Sequence, residues 1–168
     1  LKNPAASDKE QAGDLMYDIA LEGKTVYSRT FKIDDKGVRV ETTVSGDGKD
    51  NIGELNETIP VYFGSGQSQK TNANTRIEFK ADGEWTPATD QYTEKVQAVR
   101  LTRFAGAVQI TFDKARRIKL SPAEWQDKWL NRGATCRNVM IDLLETGDKP
   151  ATITAARTVA YDIRAAVK

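Results

Sequence analysis

The sequence predicts an all-β fold, an antiparallel β-sandwich of about nine to eleven strands with one short helix. Three observations point there. Apolar and polar side chains alternate, as where Val38, Val40, Thr42 and Val44 are interleaved with Arg39, Glu41 and Thr43, and a period of two places one set on a buried sheet face. Turn-forming clusters recur at about 8–12-residue spacing, the rhythm of a sandwich or barrel. The 168 residues suffice for one core that buries roughly 70% of the unfolded chain's surface, with no metal or disulfide required.

Residues 1–14 are polar and alanine-rich with Pro4, and read as an N-terminal arm or linker to a single domain over 15–168. Leu15–Leu21 carries a short strand pattern. In Val26–Ile33, Tyr27, Phe31 and Ile33 share a face; Asp34, Asp35, Lys36 and Gly37 supply a turn, and Val38–Val44 returns as the second strand of a hairpin with a buried face. Ile59, Val61 and Phe63 alternate, and Pro60 marks an edge strand or a strand start. Residues 64–74 form a polar loop long enough to suggest function. Strands follow at Ile77–Phe79, Val99–Leu101, Val108–Phe112, Ile118–Leu120, Val139–Leu143 and Val159–Ile163. Ser121, Pro122 and Glu124 form a capping box, which predicts the helix over Pro122–Asn131.

Composition removes several function classes. The chain has no histidine, so Ser-His-Asp and Cys-His catalysis and imidazole zinc sites are excluded. Cys136 is the single cysteine; it forms no internal disulfide and reads as a small buried hydrophobe. No apolar run reaches the ~18 residues of a membrane helix. The chain begins with Leu1, which suggests an excised domain or a processed product. The net charge of +1 conceals an asymmetry: residues 1–57 hold 8 basic and 12 acidic side chains, whereas residues 94–137 hold 10 basic and 4 acidic. There is no basic helix or aromatic-basic RNA motif, so nucleic acid is not an expected partner.

Three groups of residues are candidates for binding. Trp85, Tyr92, Trp125 and Trp129 offer flat rings on which sugar C–H faces can stack. Trp125 and Trp129, four apart, would share one face of the helix, and Trp85 lies between Gly83 and Pro87 in a loop. The competing reading of each ring is core packing. Arg100, Arg103, Arg116 and Arg117, with Lys114 and Lys119 nearby, could line a sheet face and take carboxylate or sulfate groups bidentately. The competing reading pairs them with acidic side chains of residues 1–57. Asp47, Asp50, Asn51 and Glu54 lie in a Gly-containing loop and could gather round a structural calcium ion, although their spacing is not that of an EF-hand, and a metal-free solvated loop is the plainer reading. Two catalytic arrangements stay open: the carboxylates Glu54 and Glu57 as a glycosidase pair, or Tyr62 or Tyr92 with an arginine in uronic-acid elimination.

Tyr27–Ile33 with its hairpin partner, the segment Gly53–Pro60, and Arg137–Leu144 together resemble the β-sandwich domains that follow the helical catalytic part of polysaccharide lyases, in particular the heparinase II/III-like group. The resemblance rests on strand pattern over about residues 25–165. It implies an accessory domain and transfers no catalytic residue to this chain. The expected function is therefore a non-catalytic accessory or carbohydrate-binding domain of a polysaccharide-active enzyme. Its expected partners are a polysaccharide, with acidic polymers the fit for the arginines, and a neighbouring domain of a longer chain, with no cofactor beyond the calcium considered above. An extracellular or periplasmic setting follows if that reading holds. The alternatives are a structural domain packed against a catalytic neighbour, and a small glycosidase or lyase.

Overall fold

A computed structural model describes residues 23–62, 75–103, 106–122, 125–127, 134–147 and 149–166. They form twelve strands and no helix. The expected arm, the Leu15–Leu21 strand, the polar loop over 64–74 and Trp129 lie outside the described residues.

Strands β1 (Val26–Asp34) and β2 (Gly37–Ser45) make the expected hairpin. Its turn is fixed by Asp34, whose Oδ1 accepts the N–H groups of Lys36 at 2.8 Å and Gly37 at 3.0 Å. Gly37 has φ +147°, and a Cβ there would collide with the carbonyl oxygen of Ile163, so the hairpin tip sits too close to its neighbour for any side chain. The buried face is only partly realised. Val40, Thr42 and Val44 are buried, but Phe31 is 59% and Ile33 78% exposed. Only the end of β1 near Tyr27 is packed against the core.

β3 (Asn51–Ile52) pairs with β11 (Ala151–Thr152) in a two-stranded sheet. The remaining strands are β4 (Asn56–Tyr62), β5 (Arg76–Ala81), β6 (Glu84–Pro87), β7 (Thr93–Arg103), β8 (Gly106–Leu120), β9 (Trp125–Asp127), β10 (Ala134–Asp142) and β12 (Arg157–Ala166). With the hairpin they build one antiparallel sheet of ten strands, along β1-β2-β12-β8-β7-β5-β6, with β10 joining β8 to β4 and β9. Among the described residues β4 pairs with β10 alone, the edge position that Pro60 requires.

The fifteen-residue β8 folds this sheet into a sandwich-like shape. Its first part pairs with β12 through residues 107–112, and its last part with β10 through 118–120. Between them the register against β7 shifts: Ala98 faces Thr111, but Val96 faces Arg116. The extra residues bulge out of β8, and Lys95 on β7 takes φ 55°. A bulge bends and twists its strand, and the bend carries β4 and β10 across the inner face of β1, β2 and β12. Val40, Ile110, Ile118, Ile141 and Val159 fill the space between, each worth about 1.5–3 kcal/mol of burial.

The expected helix is corrected. Trp125–Asp127 is strand β9, paired with Ala134–Cys136 of β10. It pairs with β10 beyond the stretch, residues 139–141, that pairs with β8. Ser121 is tied to β10: its N–H donates to the Asn138 carbonyl at 2.8 Å, and its Oγ accepts the Asn138 N–H at 3.0 Å. Long-range pairing outweighs the local capping preference. Trp85 is corrected too: it is not in a loop but on β6, opposite Lys80.

Candidate functional site

Three side-chain groups stand out, and the strand register separates them. The first surrounds Tyr92, just before β7. Arg117 and Lys119 project from one face of β8, two residues apart, and both cover the Tyr92 ring: the Arg117 Cζ lies 3.6 Å and the Lys119 Nζ 4.2 Å from its centroid. Lys119 Nζ donates to Glu54 Oε1 at 2.8 Å. The Tyr92 hydroxyl stands 3.1 Å from both Glu54 Oε1 and Asn56 Oδ1, and its single proton serves one of them at a time. Arg117 is held by Glu94 at 2.8 Å, by Asp142 at 3.0 Å and by the Gly147 carbonyl at 3.2 Å. Beside them lies a cleft of about 200 Å³ lined by Gly53, Glu54, Tyr92, Lys119, Asp142, Leu144 and Gly147.

Tyr92, Glu54 and Lys119 are each held in the protonation state they have at neutral pH. Burial pushes the Tyr92 hydroxyl above the usual tyrosine value. The hydrogen bond from Lys119, then that from Asn56, hold the Glu54 carboxyl below the usual range. Burial works against the Lys119 charge, but hydrogen bonds to Glu54 and Tyr92 outweigh it and raise the ammonium. Near neutral pH the cleft therefore presents an ionised carboxylate, a charged ammonium and a protonated phenol. It offers hydrogen-bond donors and acceptors beside a ring.

The second group lies on the outer face of β5, β6 and β7. Trp85 is half-buried, with the Arg100 Cζ 4.3 Å from its ring centroid and the Lys80 Nζ at 6.0 Å. Glu78, opposite Arg100 in the register, fixes that guanidinium at 3.0 Å. The register continues this outer face through Gln109 on β8 and Arg164 on β12, a ribbon of polar side chains leading away from the Trp.

The third group is interior. Glu57 is 1% exposed, on the face of β4 turned to the hairpin. Its Oε2 accepts the Tyr27 hydroxyl at 2.9 Å, and its Oε1 accepts the Tyr161 hydroxyl at 2.8 Å and an N–H of Arg29. Arg29 Nε also reaches Thr42 Oγ1 at 3.3 Å. Burial, then the charge of Glu57, push both tyrosines above the ordinary value. This carboxylate is a tie between β1, β4 and β12.

The structure distributes the sequence candidates unevenly. Tyr92 and Arg117 meet in the cleft, while Trp85 and Arg100 meet on the other outer face. Arg103 sits on β7 opposite Gly106. Arg116 is only 4% exposed; it binds Asp113 and Glu145 at 2.9 Å each and the Thr158 carbonyl at 2.9 Å. The helical spacing that would align Trp125 with Trp129 is absent at Trp125. Glu54 and Glu57 do not face one another: one borders the cleft, and the other is inside. Of the calcium candidates, Asp47 and Asp50 both lie beside Gly23, and each has protein partners. Asp50 accepts the Gly23 N–H at 2.7 Å and the Thr25 hydroxyl at 2.6 Å, Asp47 is ion-paired with Lys49 at 3.8 Å, Asn51 lies on β3, and Glu54 is engaged by Lys119. Among the described residues no three acidic, Cys or His side chains are placed to hold a metal ion.

The basic segment is matched by acids, but chiefly not by those of residues 1–57. Glu78, Glu94, Asp113, Asp142 and Glu145 supply most of the partners, with Glu54 serving Lys119. Asp142 and Gly147 are site residues that the sequence reading missed. Asp142 sits at the end of an apolar strand, where its Oδ1 also accepts the Leu144 N–H at 2.8 Å; an acid closing a buried strand ahead of a Gly turn was the available signal.

Comparison of the sequence with protein-family models finds no match, and comparison with curated proteins finds none either.

Proposed function

We propose that this domain binds carbohydrate without cleaving it, as an accessory module of a polysaccharide-active enzyme. The cleft at Tyr92 is the observation that carries this reading. An aromatic ring, two carboxylates and an ammonium converge on a concavity of about 200 Å³, below the usual ~300–1,000 Å³ of small-molecule sites and suited to one sugar unit. Carboxylates accept sugar hydroxyls, the ammonium donates to ring or hydroxyl oxygens, and the ring edge packs against C–H groups. The Tyr92 phenol and the Lys119 ammonium keep their protons, which favours binding over elimination by a phenolate or amine base.

The charge balance points to neutral sugar. Arg117 and Lys119 are each engaged by carboxylates that also border the cleft, so an acidic saccharide would have to displace Glu54 or Asp142 from its partner. Trp85 with Arg100 is a second stacking position on a separate face, fit for a weaker contact with an extended chain. The resemblance to accessory domains of polysaccharide lyases supports the same role. Affinity electrophoresis against neutral and acidic polysaccharides tests it. Retardation by a neutral polymer that is lost in Tyr92→Ala supports the reading. Unretarded migration in every gel contradicts it, and so does retardation unaffected by Tyr92→Ala and Trp85→Ala.

A further inference from the structure

Among the described residues the hairpin leaves an open edge. Among the described residues β1 pairs with β2 alone, so its outer side offers nine residues of strand. Val26 is 58%, Phe31 59% and Ile33 78% exposed. Natural proteins shield such edges with shortness, proline, bulges or inward-pointing charge. Here β1 is long, regular in register and free of proline; its one inward charge, Arg29, is neutralised by Glu57, and the tip beyond it carries Phe31 and Ile33. An edge of this kind is a template for another strand.

The sequence of β1 suits one occupant above others, a second β1. A two-residue turn closes the ladder at Asp34 and Gly37, and hydrogen-bonded pairs alternate back from there. The N–H and C=O groups of Tyr27, Arg29, Phe31 and Ile33 therefore point outward. Two antiparallel copies of β1 related by a two-fold axis at Thr30 bring these groups opposite one another. Tyr27 then faces Ile33 of the second copy, Arg29 faces Phe31, Ser28 faces Lys32 and Val26 faces Asp34. No like charges oppose, all nine residues are paired, and aromatic–aliphatic, cation–aromatic and Thr–Thr pairs are of the stabilising kind. A shift that moved the axis to Arg29 would oppose two guanidinium groups. The Arg29 Cζ already lies 5.9 Å from the Phe31 ring in its own chain, so the cross-copy contact extends an arrangement already formed.

We propose that β1 is a homodimerisation edge, and that two copies join into one continuous sheet through antiparallel β1–β1 pairing about Thr30. A two-fold interface of this kind is closed and self-complementary, so it stops at the dimer. On that sheet face Phe31 and Ile33 gain Arg29 and Tyr27 of the second copy as lateral neighbours.

Sedimentation velocity of the full chain over a wide concentration range, with cysteine cross-linking, tests this. The mass should move from 18.6 kDa toward twice that value as concentration rises. Phe31→Lys with Ile33→Lys should hold it at the monomer; both positions are exposed, and an unchanged urea transition verifies the fold. At Thr30 the two-fold brings a non-hydrogen-bonded pair together, with Cα atoms about 4.5 Å apart, within disulfide range. Under mild oxidation Thr30→Cys should give a covalent dimer, and Ser28→Cys, four residues out of register with itself, should not. The proposal is overturned if the chain stays monomeric at every concentration, if the double lysine variant dimerises as before, or if Ser28→Cys cross-links as readily as Thr30→Cys. In the first case another occupant, such as a neighbouring domain, covers this face.

Discussion

Two tyrosines at similar sequence prominence have opposite roles, and burial separates them. The Tyr161 hydroxyl is enclosed against Glu57 at 2.8 Å, whereas Tyr92 borders an open cleft. Tyr161→Phe removes a hydrogen bond to a buried carboxylate and should cost about 2 kcal/mol, read from urea denaturation, with carbohydrate binding unchanged. The pH dependence has a definite sign. Tyr27, Tyr92 and Tyr161 all have folded-state values raised above the ordinary 10.0. The folded state therefore holds more protons than the unfolded one above that value. Their contribution is fully present below pH 10.0 and is lost as pH rises beyond it; in Tyr161→Phe that alkaline decline should become shallower. Glu54 behaves oppositely. Its folded value is lowered from 4.5, so its contribution is present above that pH and fades as pH falls below it. Glu54→Gln should remove that part of the acid dependence. None of this was legible in the sequence: Glu54 and Glu57 sit three residues apart there, and only the strand face separates an interior tie from a cleft wall.

At the scale of elements, alternation was the reliable signal. The hairpin, its turn at Asp34–Gly37, the edge position of β4 and the strands of the central sheet were all readable, because a period of two has one physical meaning when one face is buried. Two failures are instructive. Ser121, Pro122 and Glu124 satisfy a helix capping rule, yet β10 needed a partner beyond the end of β8, and non-local pairing decided the outcome. The Lys114–Arg117 stretch looked like a break between strands, but it is a bulge within the continuous β8, with Arg116 turned inward onto Asp113, Glu145 and the Thr158 carbonyl. Arg116→Ala should lower stability by about 2–3 kcal/mol through lost packing and charge-assisted hydrogen bonds, measured as the urea midpoint. It should leave polysaccharide retardation intact. Gly37→Ala should cost at least about 1 kcal/mol, since φ is positive there and the Cβ meets the Ile163 carbonyl; thermal denaturation checks it.

For the whole molecule, the bend of β8 links fold to function. It brings Lys119 of β8, Tyr92 before β7, Glu54 before β4 and Asp142 at the end of β10 to one concavity, with Arg117 behind Tyr92 and Asp142, from positions spread over much of the chain. Composition indicated a basic middle segment, but where its charges go depends on this bend. Most are matched within the second half of the chain, which shifts the proposed ligand from an acidic polysaccharide to a neutral one. The most direct measurement of the central claim is affinity electrophoresis of the wild type and Tyr92→Ala in gels carrying neutral or acidic polysaccharides. The account predicts retardation of the wild type by at least one neutral polymer, abolished in Tyr92→Ala while its urea midpoint stays close to that of the wild type. Migration of the folded wild type unretarded in every gel, or undiminished retardation of Tyr92→Ala, would contradict it.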